Sequence, residues 1–151
     1  MADEPLLGAE FARNLFRVNG QMLAAGEQLT RPVGLTVARW QVLGAVLRRP
    51  LNAAGIAREM GISRQAVQRV ANRLIDDGLL QTLPNPAHNR SPLLSPTNEG
   101  VAAVQKIAPQ QADFSVRLAE AFGYQRFRQL VDDLAAFSEM LDSVDPWPGP
   151  T

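Results

Sequence analysis

Gln65, Gln68, Arg69 and Asn72 carry forked hydrogen-bonding ends and recur three and four residues apart between Ser63 and Leu74. That spacing puts them on one side of a helix. Glutamine and asparagine amides match the adjacent donor and acceptor of an adenine edge, and arginine matches the two acceptors of guanine. The chemistry on offer is therefore the reading of base edges in a major groove. Arg64 and Arg73 flank the stripe where phosphates would lie, and Ser63 is a good N-cap for the helix that carries it. Ser63, Arg64, Gln65, Gln68, Arg69, Asn72 and Arg73 form the candidate DNA-binding set on this element. The other side, Val67, Val70, Ala71 and Leu74, has the i, i+3, i+4, i+7 spacing of a face that turns inward.

A polar stripe alone is also what a solvated surface helix shows, so its setting decides. Ala53 to Met60 reads as a short helix that ends at Gly61, a residue able to take the left-handed conformation of a tight helix-to-helix turn. The pair has helix-turn-helix logic, in which the first helix braces the second in the groove. The acidic residues Asp76 and Asp77 lie at the far end, where a recognition helix leaves the groove.

After Gly78, Leu79 to Leu83 reads as a short strand and Leu93 to Ser95 as its return, with the proline-rich loop Pro84 to Pro92 between them. A hairpin directly after a recognition helix is a wing, and wings lay basic tips along the adjacent minor groove. Arg90 is the single arginine of this loop and joins the candidate set.

The outer segments are helical. Leu7 to Leu29 is amphipathic, with Phe11, Leu15, Val18, Met22 and Leu29, and residues before it read as a frayed end. Pro32 and Gly34 break it. Thr36 caps an apolar helix, Val37 to Leu47, that belongs at the centre, and Arg49 to Leu51 reads as an extended connector because a residue before proline avoids the helical region. Thr97 starts a long helix with a kink expected at Pro109 and an end at Gly123, and a last helix runs from about Tyr124 to Leu141. The proline-rich tail from Asp145 reads as loose.

At 151 residues and 46% hydrophobic content the chain has room for one domain with a substantial core. The fold class expected is mainly α with a small β-hairpin wing. Zero net charge gives no global field to draw the chain to nucleic acid, so affinity must come from local clustering. The absence of cysteine excludes disulfides and thiolate metal sites, and His88 as the sole histidine argues against a histidine metal centre, so no metal or cofactor is expected. Nucleophile, base and orienting acid do not assemble, and no enzyme activity is expected. No apolar run reaches the roughly 18 residues of a membrane helix, which points to a cytoplasmic protein without a membrane partner.

The apolar stripes on the first helix and the last two lie far in sequence from the compact helix-turn-helix. Burial against a second copy is the economical solution, because two-fold dimers are the commonest oligomers. A dimer would space two recognition helices roughly 34 Å apart, one turn of DNA, and suit a palindromic site.

This order of elements resembles the MarR family of bacterial transcription regulators over about residues 7 to 142, with 35–100 as the winged helix-turn-helix part and 7–30 and 101–142 as dimerisation helices. The most specific resemblance is the wing. The family reads there as glycine, two apolar residues, a basic pair, P-D-P-x-D-R-R, then a threonine followed by x-x-G. Here Gly78-Leu79-Leu80 open it, Pro84-Asn85-Pro86-Ala87-His88-Asn89-Arg90 align without gaps, and Thr97-Asn98-Glu99-Gly100 close it. Thr82 and Leu83 replace the basic pair, His88 an aspartate that orients wing arginines, and Asn89 the first arginine. Gly55, in the bracing helix, costs about 1 kcal/mol relative to alanine.

The resemblance implies a homodimer on a pseudo-palindromic operator of double-stranded DNA, usually a repressor. It also implies a small aromatic or phenolic effector, for which Phe16, Met22, Trp40 and Leu43 are the candidate pocket residues. The depleted wing keeps a second reading open: a winged-helix protein-interaction module without sequence-specific DNA binding.

Overall fold

The computed structural model describes residues 4–144, so the expectations for the first three residues and the tail from Asp145 fall outside it. The elements follow in the predicted order: α1 (Glu4–Thr30), a 3₁₀ turn (Arg31–Val33), α2 (Val37–Val46), α3 (Ala53–Met60), α4 (Arg64–Asp76), β1 (Leu80–Leu83), β2 (Leu93–Pro96), α5 (Asn98–Phe122) and α6 (Tyr124–Ser143). The architecture is mainly helical with one antiparallel hairpin. α1 begins at Glu4 rather than Leu7, with the glutamate carboxylate in the first turn where the helix dipole favours it.

Side-chain caps fix where the helices of the compact part begin. Thr36 Oγ1 accepts from the Arg39 amide at 3.2 Å, Asn52 Oδ1 from Gly55 at 2.8 Å, Ser63 Oγ from Ala66 at 3.1 Å, and Thr97 Oγ1 from Gly100 at 3.1 Å. Each satisfies one of the amides that a helix start leaves unpaired.

α2 lies at the centre, packed against α1, α3, α4, α5 and β2. Val42, Leu43 and Val46 from α2 are enclosed with Ile56, Val67, Ala71, Leu74, Leu80, Leu94 and Ile107, so every element of the helix-turn-helix, the hairpin and α5 contributes to one core. Val70, expected to turn fully inward, is half-buried against that core.

In the hairpin, Leu80 pairs with Pro96 and Leu83 with Leu93. The extended connector does more than join α2 to α3. Leu51 donates to the Leu94 carbonyl at 3.2 Å and accepts from the Leu94 amide at 2.7 Å, which ties the base of the hairpin to the start of α3.

α5 stays helical through Pro109, where a kink was expected. Proline removes one backbone hydrogen bond, and Ile107, fully buried one turn earlier, anchors that stretch to the core. Beyond it α5 and α6 leave the compact part. α6 meets α1 through Phe11 and Phe137, whose rings lie 4.9 Å apart and tilted by 56°. Among the described residues no helix is long and apolar enough to cross a membrane.

Candidate nucleic-acid interface

α4 divides as its sequence period demands. Val67, Ala71 and Leu74 are buried, while Arg64, Gln65, Gln68, Arg69, Asn72 and Arg73 are all exposed. The turn before it is set by Gly61 at φ 65°, whose amide closes α3 by donating to the Ala57 carbonyl. A side chain at that left-handed angle would be strained, so glycine is what lets α4 leave α3 this abruptly.

The stripe splits into two parts. Arg64, Gln65 and Gln68 from the first turns of α4 face the hairpin across a cleft of about 500 Å³, whose other wall includes Thr82, His88, Arg90, Ser91 and Pro92. The structure thus brings Arg90 to the same concavity as the start of the recognition helix, although 26 positions separate Arg64 from Arg90 (90 minus 64). No acidic side chain lines this cleft among the described residues, so Arg64 and Arg90 give it a positive character. The wing loop is held by Asn85, which the sequence reading did not single out. Its Oδ1 accepts from the Ala87 amide at 3.1 Å and its Nδ2 donates to the Ser91 carbonyl at 2.9 Å. Asparagine's habit of bonding the backbone two residues on is the signal that could have found it.

Arg69, Asn72 and Arg73 lie farther along α4. Gln68 and Asn72 are bonded to each other, Nε2 to Oδ1 at 2.8 Å. Arg73 and Arg39 converge on one oxygen of Asp77, at 3.9 and 3.0 Å. Arg64, Arg69 and Arg90 form no ion pair among the described residues.

The four candidate pocket residues are dispersed. Leu43 is enclosed in the core and Trp40 is half-buried against it, whereas Met22 and Phe16 are 47% and 73% exposed on α1. Two other cavities accompany the outer helices. One of about 510 Å³ lies at the α5–α6 elbow, with Val116, Tyr124, Phe127 and Arg128 among its walls. Another of about 420 Å³ lies between the end of α1 and α5, lined by Leu29, Pro109, Gln110, Asp113, Phe114 and Arg117. Phe16, Met22, Trp40 and Leu43 line neither.

A capped recognition helix behind a glycine turn, followed by a hairpin that shares its cleft, defines a winged helix-turn-helix protein. Residues 33–91 match the model of the MarR family. The chain belongs to the MarR family of transcription regulators. It is 39% identical over 113 residues to an uncharacterized protein of Mycobacterium tuberculosis, spanning 75% of this chain and 79% of that one. It is 29% identical over 115 residues to a putative transcriptional regulatory protein for the hcr operon of Thauera aromatica, covering 70% and 69% of the two chains. Among solved structures it is similar to the transcriptional repressor CouR bound to a 23-mer DNA duplex, with a TM-score of 0.75 and 26% identity over 87% of this chain and 94% of that one. CouR from Rhodococcus jostii RHA1 has also been solved bound to p-coumaroyl-CoA, with the same TM-score and coverage at 24% identity.

Proposed function

We propose that the protein is a homodimeric repressor that binds a pseudo-palindromic operator through α4, with Arg90 of the wing adding a contact in the adjacent minor groove. The observation that carries this reading is the exposed row Arg64, Gln65, Gln68, Arg69, Asn72 and Arg73 on a helix whose opposite face is locked in the core. Base-reading side chains on a rigidly held helix need no refolding to enter a groove. The similarity to DNA-bound CouR supports the same use of this fold.

The dimer is supported by apolar surface. Leu6, Leu7, Phe16 and Val18 on α1, Val116 on α5, and Tyr124, Leu130, Leu134 and Met140 on α6 stand exposed in the single chain. Scattered apolar residues are ordinary on a surface, but whole faces of three helices mark an interaction site. Residues 7–30 and 101–142 are the dimerisation helices on this reading.

Release by a small aromatic effector is part of the proposal, with p-coumaroyl-CoA bound to CouR as its support. Such a ligand frees DNA only to the extent that it prefers the conformation with the wrong helix spacing. Phe16, Met22 and Trp40 offer apolar surface to such a ligand. Leu43, enclosed in the core, would act through packing alone.

Selection of bound duplexes from a random pool tests the reading. The expected result is an enriched inverted repeat with half-sites about one helical turn apart. A pool that stays unenriched would favour the protein-interaction module, the use to which a wing reduced to Arg90 is better suited.

A further inference from the structure

Gln68 and Asn72 are two exposed amides one helical turn apart, and they are already joined by the 2.8 Å bond from Nε2 to Oδ1. The bond consumes the acceptor of Asn72 and one hydrogen of Gln68. What remains toward solvent is one carbonyl oxygen, Gln68 Oε1, beside the amide hydrogens of Asn72 Nδ2. Turning both amides about leaves the same inventory in reverse order, with Asn72 Oδ1 free beside Gln68 Nε2. The couple therefore presents one free acceptor and one free donor group in either orientation.

Base edges differ in what they offer such a couple. Adenine places a donor, N6, next to an acceptor, N7, on one edge. Guanine offers two acceptors, O6 and N7, so the free carbonyl of the couple would face another oxygen. Thymine offers O4 and a methyl group, and cytosine offers only the N4 donor. Two amides that restrain one another also lose less rotamer freedom when a base engages them than two independent side chains would.

We propose that Gln68 and Asn72 act as one composite reader, and that each operator half-site carries an adenine at the position this couple meets. The assignment rests on the DNA-binding reading above and sharpens it from a stripe of polar residues to a base identity. It differs from independent reading by each amide, in which either side chain alone would retain part of the preference.

The test is random-pool duplex selection with the wild-type chain and with Gln68→Ala, Asn72→Ala and the double variant, followed by titration of the selected duplex and its single-base changes. Both side chains are exposed, and circular dichroism checks that the variants are folded. The expected result is an adenine at the same place in both half-sites, whose replacement by guanine weakens wild-type binding about tenfold or more. Either single variant should lose that discrimination to the same extent as the double variant. Asn72→Asp, which still accepts from Gln68 Nε2 but has no donor, should move the preference toward cytosine N4. Several outcomes would overturn the composite reader alone: an enriched motif with guanine at the responsive position, a cytosine–guanine step there, or additive losses from the two alanine variants. A pool with no enriched motif would overturn the composite reader together with the DNA-binding reading.

Discussion

Gly100 abuts the backbone of Leu79 so closely that a β-carbon at Gly100 would overlap the Leu79 carbonyl oxygen and come within 3.3 Å of Leu43 Cδ2. This approach seats the first turn of α5 against the start of the hairpin, and so holds the wing at a fixed angle to the core. Gly100→Ala must push the two backbones apart, and a backbone atom yields less readily than the end of a side chain. The expected loss is about 2 kcal/mol or more, the upper part of the range for overpacked sites. Urea denaturation checks it, and a midpoint equal to wild type would show that α5 and β1 are not held together this tightly.

Thr97 binds the same junction from the other side. Its hydroxyl donates to the Gly78 carbonyl at 2.7 Å and accepts from the Gly100 amide at 3.1 Å, while its own amide donates to the Leu79 carbonyl at 3.2 Å. Thr97→Val keeps the shape but loses both hydroxyl bonds, and should cost about 1–2 kcal/mol. Thr97→Ser keeps the hydroxyl and should cost less than about 0.5 kcal/mol, near the level of an ordinary surface change. Thermal unfolding of the pair separates cap chemistry from methyl packing.

Asp77 holds two arginines on one carboxylate oxygen, Arg39 from α2 and Arg73 from α4. At the recognition helix this anion competes with phosphate for Arg73. Asp77→Asn should raise DNA affinity severalfold and make its fall with salt steeper by up to about 0.9 in log–log slope, as one more phosphate is engaged. Anisotropy titrations across salt concentrations check it. Affinity that stays level or falls in a folded variant would mean that Asp77 positions Arg73 for DNA instead of withholding it.

The wing offers a gain as well as a loss. Asn89 is exposed beside Arg90, where the family pattern has an arginine. Asn89→Arg should tighten binding to many duplexes and steepen the salt slope by about 0.9. Arg90→Ala should weaken binding broadly and flatten the slope by a similar amount, with little change in which sequence is preferred. A change in the selected motif would assign Arg90 to base reading.

Much of this arrangement was legible in the sequence because it is local. Ser63 and Thr97 announced helix starts by residue type, Gly61 marked the inter-helix turn, and the 3.6-residue period of Val67, Ala71 and Leu74 separated the buried from the exposed face of α4. What escaped was long-range or individual. The Leu51–Leu94 pairing is a single bridge without any period to detect. The convergence of Arg39 and Arg73 on Asp77 spans α2 and α4. The threonine and glycine that close the wing were visible only as a pattern, and their reason, the approach of α5 to Leu79, appears only in three dimensions. Leu43 was taken for a possible pocket residue because an apolar side chain looks the same in a pocket wall and in a core. Its full burial shows that it packs in the core.

The central claim is that α4 reads DNA, and charge reversal on its exposed face tests it most directly. The measurement is the affinity of Arg69→Glu/Arg73→Glu for the duplex selected by the wild-type chain, by fluorescence anisotropy, with folding and mass confirmed. Both residues are exposed, so the variant should fold and assemble as wild type does. The predicted result is loss of specific binding, with affinity down by a factor of about a hundred or more from two lost charge-assisted contacts and two new repulsions. Binding equal to that of wild type would contradict the assignment of this face to DNA.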